Sequence, residues 1–141
     1  MTDSHIRYGI IGCGMMGREH IRNISLLDDT SITAIYEPDL QMQQAAAELA
    51  PAAVFADDIE SFVGRDDIDA VVIASPNYLH IDQIEALMER PRPLLVEKPL
   101  YTDPAQANRL AAIKSGYGAP IWVAMEYRYM PAIRRLAEEI P

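Results

Sequence analysis

The sequence predicts a doubly wound α/β fold, in which helices cover both faces of one parallel sheet. Short apolar runs recur along the 141 residues, and several are rich in Val and Ile, as strands buried on both faces are. Stretches with apolar residues at helical spacing separate these runs. Strand and helix therefore alternate almost to the end of the chain, whose length suits one domain.

The order of the elements follows from the turn residues between them. The runs predicted as strands are 6–11, 32–36, 54–55, 70–74, 94–96 and 121–125. The segments predicted as internal helices are 21–27, 40–49, 81–88 and 107–114. Asp103 and Pro104 form a helix start before the last of these, and Gly116 stands where its C-cap is expected.

A final segment follows the last predicted strand. It turns at Met130-Pro131 and continues as an amphipathic helix with no strand after it. The apolar face of this helix consists of Ile133, Leu136, Ala137 and Ile140. Left uncovered, such a face predicts self-association, so a homo-oligomer is one expected state of the chain.

Composition and charge exclude several classes of protein. The net charge is −9 and the only adjacent basic pair is Arg134-Arg135, so we predict no nucleic-acid partner. No apolar window approaches the roughly 18 residues of a membrane span, and the N-terminus lacks a signal core, so we expect a cytoplasmic protein without a membrane partner.

The single cysteine, Cys13, excludes an internal disulfide. It is either a reactive thiol at a helix start or, the favoured interpretation, a small filler of a glycine loop.

The stretch GCGMMG at 12–17 fits the pattern G-x-G-x-x-G between a predicted strand and a predicted helix. Gly12 permits the tight turn, Gly14 lets backbone N–H groups approach a pyrophosphate, and Gly17 allows close helix–strand packing. The helix N-terminus would face the anion. The alternative is a glycine turn without a ligand.

An acidic residue at the end of the second strand completes this pattern. Glu37 lies 20 residues after Gly17, the distance at which a carboxylate accepts hydrogen bonds from the adenosine ribose. A carboxylate there repels the 2′-phosphate of NADP, so NAD is the expected cofactor and NADP the less favoured one. Asp39 competes for the same role, and a solvated loop carboxylate is the minority interpretation.

Polar residues precede proline at three predicted strand ends, in Glu37-Pro38, Ser75-Pro76 and Lys98-Pro99. A residue before proline is restricted to extended geometry, and the carboxyl edge of an open α/β sheet is where ligands bind. We therefore expect these residues to contribute to a site. For Ser75 alone, a purely structural strand end is an equal alternative.

Lys98 is the candidate catalytic residue. At the end of a buried strand its ammonium group would be partly desolvated, and it could handle the proton of a substrate hydroxyl as hydride leaves for nicotinamide. The alternative is a solvated surface lysine. Neighbouring strand residues face opposite sides, so we expect Glu97 not to pair directly with Lys98.

His80 opens the helix after the fourth strand. It would either touch the cofactor or substrate, or pack on the turn as a half-buried side chain. No His, Cys or carboxylate stands at metal-ligand spacing from it, so we predict no metal site.

Five short motifs together resemble the N-terminal, NAD(P)-binding Rossmann part of the Gfo/Idh/MocA oxidoreductases. They are GCGMMG at 12–17, YEPD at 36–39, VVIASPNYLH at 71–80, EKP at 97–99 and EYRYMP at 126–131. The likeness covers nearly the whole chain, and EKP with SPNYLH is more specific than the glycine loop. Glu126 departs from the family, where a neutral residue is commoner two positions before the arginine.

The resemblance implies roles for named residues. Lys98 is the implied catalytic residue. The residues implied to bind the cofactor are Gly12, Gly14, Met15, Met16, Gly17, Glu37, Ser75, Pro76, Asn77, His80, Glu97, Lys98 and Arg128. Arg128 would lie near the nicotinamide pocket, and the substrate would be a small sugar or polyol.

The resemblance also implies a domain organisation. Residues 1–125 would form the dinucleotide-binding domain, and residues 126–141 would begin the connection to a C-terminal α/β substrate domain that these 141 residues lack. The first hypothesis is the cofactor domain of an NAD-dependent oxidoreductase. The alternatives are a non-catalytic nucleotide-binding or sensor module, as the family also includes a transcriptional repressor, and a truncated fragment.

Overall fold

One six-stranded sheet organises residues 5–140, the part of the chain that the computed structural model describes. The strands are β1 (Ile6–Ile11), β2 (Thr30–Tyr36), β3 (Val54–Ala56), β4 (Ala70–Ile73), β5 (Leu94–Val96) and β6 (Ile121–Val123). They pair in the order β3-β2-β1-β4-β5-β6, and every pairing is parallel. Each predicted strand is confirmed, with ends that differ by no more than two residues.

The helices connect these strands. Within residues 5–140 they are α1 (Met15–Ile24), α2 (Leu40–Ala47), α3 (Ile59–Val63), α4 (His80–Ala86), α5 (Ala107–Gly116) and α6 (Pro131–Glu139). The sequence pattern does not predict α3, because five residues are too few to show a helical period. Asp58 marks its start, since the carboxylate accepts the N–H of Ser61 at 2.7 Å. Gly116 is the last residue of α5 and does not follow it as a C-cap.

The connections create a switch in strand order at the centre of the sheet. The chain builds outward from β1 to β3 and then returns to place β4 beside β1. The segments that follow β1 and β4 lie side by side, since the N–H of Ala74 donates to the carbonyl of Ile11 at 2.8 Å. Open α/β sheets bind their ligands in the crevice at such a point.

Two apolar cores cover the two faces of the sheet. Ile10 packs with Ile21 and Ile24 of α1 on one face, whereas its neighbour Ile11 packs with Phe62 of α3 on the other. Because each face carries an apolar core, the strands read as continuous apolar runs. The predicted doubly wound α/β fold is therefore confirmed.

Part of the α1 face is open over β4, β5 and β6. An apolar groove of about 570 Å³ lies there, with Leu95 and Trp122 in its lining. The apolar face predicted for α6 is also exposed, with Ile133 43% and Leu136 53% accessible. No helix within residues 5–140 is both long enough and apolar enough to cross a bilayer.

Candidate functional site

The loop after β1 requires glycine at two positions. Gly12 has a φ of +88°, and a Cβ there would lie 2.5 Å from the backbone nitrogen of Ser75. A Cβ on Gly17 would lie 2.0 Å from the carbonyl oxygen of Gly12. The loop can therefore pack against the start of α1 and the end of β4 only without these side chains.

Gly14 differs from both of these glycines. A Cβ at this position would meet no atom within 4 Å, so the space in front of it is open. Gly14 is also the N-cap of α1 and provides no side-chain cap, whereas Asp39 caps α2 by accepting the N–H groups of Gln41 and Met42. No side chain therefore caps the first-turn N–H groups of α1, and open space lies in front of the N-cap residue, an arrangement that suits a phosphate.

Glu37 is held against the same loop from the end of β2. Its side chain is buried, and one carboxylate oxygen accepts the N–H of Cys13 at 2.6 Å. The other oxygen accepts the N–H of Asp39 at 2.9 Å. An ionised carboxylate has about four acceptor positions, so it can accept further hydrogen bonds beyond these two. Asp39 serves as the cap of α2, which leaves Glu37 as the acidic residue that faces the glycine loop.

Cys13 is a buried part of the loop. Burial, and secondarily the charge of Glu37, raise the pKa of its thiol to about 12. Since the thiolate is the reactive form, this thiol is inert near neutral pH. The interpretation of Cys13 as a small filler is the one that the structure supports.

A cleft at the carboxyl edge of the sheet unites these residues. Two adjoining cavities of about 460 and 400 Å³ share Gly12, Glu37, Ser75 and Pro76 in their linings. The smaller one is also lined by Gly14, Met15, Met16 and Met42. The groove on the α1 face is larger, but its lining is mostly apolar, whereas charged and hydrogen-bonding groups converge on this cleft. We therefore place the candidate site in the cleft.

Behind the end of β4, two buried side chains hold Ser75. The hydroxyl of Ser75 donates to the side-chain carbonyl of Gln83 at 2.5 Å. The ring of His80 is fully buried, and its nitrogens lie 3.0 Å from the carbonyl of Pro99 and 3.1 Å from that of Ser75. His80 therefore lies behind the cleft and links the segments after β4 and β5. Asn77 is exposed on the short turn that leads to α4.

The end of β5 brings a second buried carboxylate to the same edge. Glu97 accepts a hydrogen bond at 2.7 Å from Nε2 of His20 on α1, and its other oxygen accepts the backbone N–H of Lys98 at 3.2 Å. The ammonium group of Lys98 points elsewhere, to a carboxylate oxygen of Glu126 at 3.7 Å. As expected, Glu97 and the Lys98 ammonium group do not pair directly. The peptide bond between Lys98 and Pro99 is cis.

Two of the residues expected at this end are exposed. The side chain of Lys98 is 45% exposed, so the strand end buries it only in part. Arg128 is exposed on the turn after β6 and lines neither cavity of the cleft. Within residues 5–140, no three His, Cys, Asp or Glu side chains lie close enough together to hold a metal ion.

Sequence reasoning missed two residues of the site. His20 and Gln83 are helical residues that meet their partners only after folding, His20 across 77 positions and Gln83 across eight. The only available signal is that His20 lies one turn after the glycine loop. The importance of Glu126 was visible in the sequence only as a departure from the family pattern.

Comparison with known proteins agrees with this geometry. Residues 6–125 match the model of the Gfo/Idh/MocA family, an oxidoreductase family with an NAD-binding Rossmann fold. The chain belongs to this family. Its similarity to the Gfo/Idh/MocA proteins thus covers all six strands and the cleft at their carboxyl ends.

Individual members of the Gfo/Idh/MocA family are also similar. The inositol 2-dehydrogenase of Corynebacterium glutamicum (strain R) is 36% identical over 138 residues, which are 94% of this chain and 41% of that protein. The crystal structure of the Lactobacillus casei myo-inositol dehydrogenase with NAD(H) and myo-inositol superposes with a TM-score of 0.86 at 29% identity, covering 95% of this chain and 40% of that one.

The structure of a third relative contains NADP. The 3-ketoreductase KijD10 from Actinomadura kijaniata, solved with TDP-benzene and NADP, superposes with a TM-score of 0.80 at 28% identity, covering 94% of this chain and 42% of that one. The chain thus spans about 40% of the length of the relatives it matches.

Proposed function

We propose that residues 1–125 form the NAD(H)-binding domain of an oxidoreductase that transfers hydride between nicotinamide and a hydroxyl or carbonyl of a sugar or polyol. The observation that carries the proposal is the open space at Gly14, bounded by the uncapped start of α1 and by the buried carboxylate of Glu37. Residues 126–141 would begin the connection to a substrate domain. The names of the inositol dehydrogenases among the relatives favour a cyclic polyol as substrate. We propose the cytoplasm as its location.

The adenosine half of the dinucleotide would bind on the β2 side of the loop. Gly12, Gly14 and Gly17 with Met15 and Met16 would surround the pyrophosphate, and Glu37 would accept hydrogen bonds from the ribose hydroxyls. Two backbone N–H groups already orient this carboxylate, so it would bind the ribose without rearrangement. Its negative charge disfavours the 2′-phosphate of NADP.

The nicotinamide half would extend in the opposite direction, past Ser75, Pro76 and Asn77 toward the end of β5. Bound NAD supplies the hydride acceptor. Lys98 would hydrogen-bond to the substrate hydroxyl oxygen. As the neutral amine it would accept the hydroxyl proton when the carbon is oxidised, and as the ammonium it would return that proton in the reverse direction. The carboxylate of Glu126, 3.7 Å from Nζ of Lys98, would orient the lysine side chain.

Three further residues would act around this end. Glu97 would face the nicotinamide side, and Arg128 would approach it from the turn after β6. For His80 we propose a supporting role, because its buried ring holds the backbone of Ser75 and Pro99.

Calorimetric titration with NADH and with NADPH tests the proposal. We expect saturable NADH binding by the natural chain, with NADPH at least about tenfold weaker. Gly14→Val should abolish binding without lowering the melting temperature, because no protein atom lies within 4 Å of the new Cβ. Gly118→Val is the matched control, since Gly118 lies outside the cleft and a Cβ there meets only Pro91 at ordinary contact distance. Absence of binding for both nucleotides contradicts the proposal.

A second candidate is a module that binds the dinucleotide without turnover. The position of Lys98 favours it, because the side chain is 45% exposed and lines neither cavity of the cleft, whereas a catalytic group is expected to face the bound ligands. Incubation with NAD⁺ and a panel of polyols tests for turnover. Formation of NADH that is lost in Lys98→Met indicates an oxidoreductase, whereas binding without any turnover is the result expected both of the module and of a cofactor domain that needs its substrate domain.

A further inference from the structure

His20 makes a buried contact that the proposed function does not use. Its Nε2 lies 2.7 Å from Oε1 of Glu97, and the two side chains are 16% and 8% exposed. An ionised carboxylate can only accept, so the imidazole nitrogen is the donor in this bond. A hydrogen bond to a buried charge is stronger than one between neutral groups, because little water competes for it.

The same carboxylate also holds the backbone next to it. Oε2 of Glu97 accepts the N–H of Lys98, and the N–H of Glu97 donates to the carbonyl of Ile73 at 2.9 Å. The start of the Glu97-Lys98-Pro99 segment is therefore fixed from two sides, by β4 through the backbone and by α1 through His20. Without His20, the carboxylate would lose its only side-chain partner within residues 5–140.

Because His20 lies on α1, its contact with Glu97 links the phosphate loop to the end of β5. Gly17 lies in the first turn of that helix, next to the proposed pyrophosphate site, and His20 follows one turn later. One short helix thus touches the phosphate loop at its start and the end of β5 at its second turn. Any shift of α1 relative to β5 would change the distance between the phosphates and Glu97.

We propose that His20 is a positioning residue that, through Glu97, fixes the end of β5 at the distance from the phosphate loop that the nicotinamide half of the cofactor requires. This inference rests on the proposed NAD(H) binding. It predicts that His20 contributes to binding of the nicotinamide ring and not to binding of the adenosine, the phosphates or the second ribose.

Titration with two ligands tests this role. NADH and ADP-ribose share the adenosine, both phosphates and the second ribose, but ADP-ribose lacks the nicotinamide ring. We expect His20→Ala to weaken NADH binding about tenfold, the value of one charged hydrogen bond, and to change ADP-ribose binding by less than about twofold. His20→Gln places an amide N–H near the position of Nε2 and should recover most of the NADH affinity.

Two further variants serve as a control and as a replacement for a variant that does not fold. Asn23→Ala, one turn further along α1 on the lining of the apolar groove, is the control and should leave both affinities unchanged. If His20→Ala does not fold, as judged by its circular dichroism, His20→Asn replaces it, because asparagine is too short to reach Glu97. His20→Asn should then bind NADH more weakly than His20→Gln does, at equal ADP-ribose affinity.

The outcomes separate this inference from the proposed function. If the natural chain binds neither ligand, the proposed function fails and the role of His20 fails with it. If the natural chain binds both and the His20 variants lose both equally, His20 acts only through the fold or the phosphate loop, and the inference is overturned. Unchanged NADH affinity in folded His20→Ala overturns it as well.

Discussion

The ends of β2 and β5 present two buried carboxylates that are held in different ways. Glu37 is 8% exposed and accepts two backbone N–H groups, both from residues of its own cleft edge. Glu97 is 6% exposed and accepts one backbone N–H and the imidazole of His20 from α1. The β2 end is therefore held by backbone groups of one strand-helix-strand unit, whereas the β5 end depends on a side chain 77 positions away.

The largest expected effect concerns the reactivity of the Cys13 thiol, which is buried in the loop beside the end of β2. Because the pKa of Cys13 is about 12, the folded chain should react with a thiol reagent at pH 8 on the order of a thousandfold more slowly than an exposed cysteine. Labelling in the presence and absence of denaturant measures this ratio. A rate in the folded chain equal to that of a free thiol would show that the loop does not bury Cys13 as described.

Gly17 joins the two ends, because it packs α1 against the loop. We expect Gly17→Ala to destabilise the fold by about 3 kcal/mol, since the new Cβ would overlap the carbonyl of Gly12 and force the helix away. Urea denaturation measures the change, and Gly14→Ala is the control with no such overlap. Equal stability of the two variants contradicts the described packing.

Paired substitutions test the difference between the ends. Glu37→Gln should weaken NADH and ADP-ribose alike, by about tenfold, and reduce the preference for NADH over NADPH, because it removes the charge at the ribose. Glu97→Gln should weaken NADH while sparing ADP-ribose. The comparison breaks down if both variants affect both ligands equally in calorimetric titrations.

The smallest effect is expected for a substitution at Asp69. This residue lies at the amino ends of the strands, away from Glu37 and Glu97 at the carboxyl ends. Hydrogen bonds from Arg7 lower the pKa of Asp69 from 3.8 to about 2. A lowered pKa in the folded state means that this pair stabilises the fold above about pH 4 and that the contribution is lost as the pH falls toward 2. Because both side chains are more than a third exposed, Asp69→Asn should cost about 1 kcal/mol or less at pH 7.

The pH dependence of unfolding provides the check on this last prediction. Denaturation of the natural chain and of Asp69→Asn should converge as the pH is lowered from 4 to 2. A constant difference in unfolding free energy over that range would assign the effect of the substitution to something other than the charge of Asp69.

The sequence predicts the β2 end better than the β5 end, and the physical reason is the range of the contacts. The glycine spacing and the distance to Glu37 reflect one strand-helix-strand unit, so a linear pattern specifies them. His20 and Glu97 are 77 positions apart and meet only through packing of α1 on the sheet. Similarly, strand periodicity marks the end of β5 but does not reveal that the side chain of Lys98 is 45% exposed or that His80 is fully buried.

The central claim is that one dinucleotide spans the switch point from the β2 end to the β5 end. Hydrogen–deuterium exchange of the natural chain with and without NADH tests it most directly, because it reports on both ends at once. We predict slower exchange with NADH in the segments 12–17 and 37–39 and also in the segment around Lys98, with no change near Asp69. Slowing at the first two segments alone, or along the groove at Trp122, would contradict the claim.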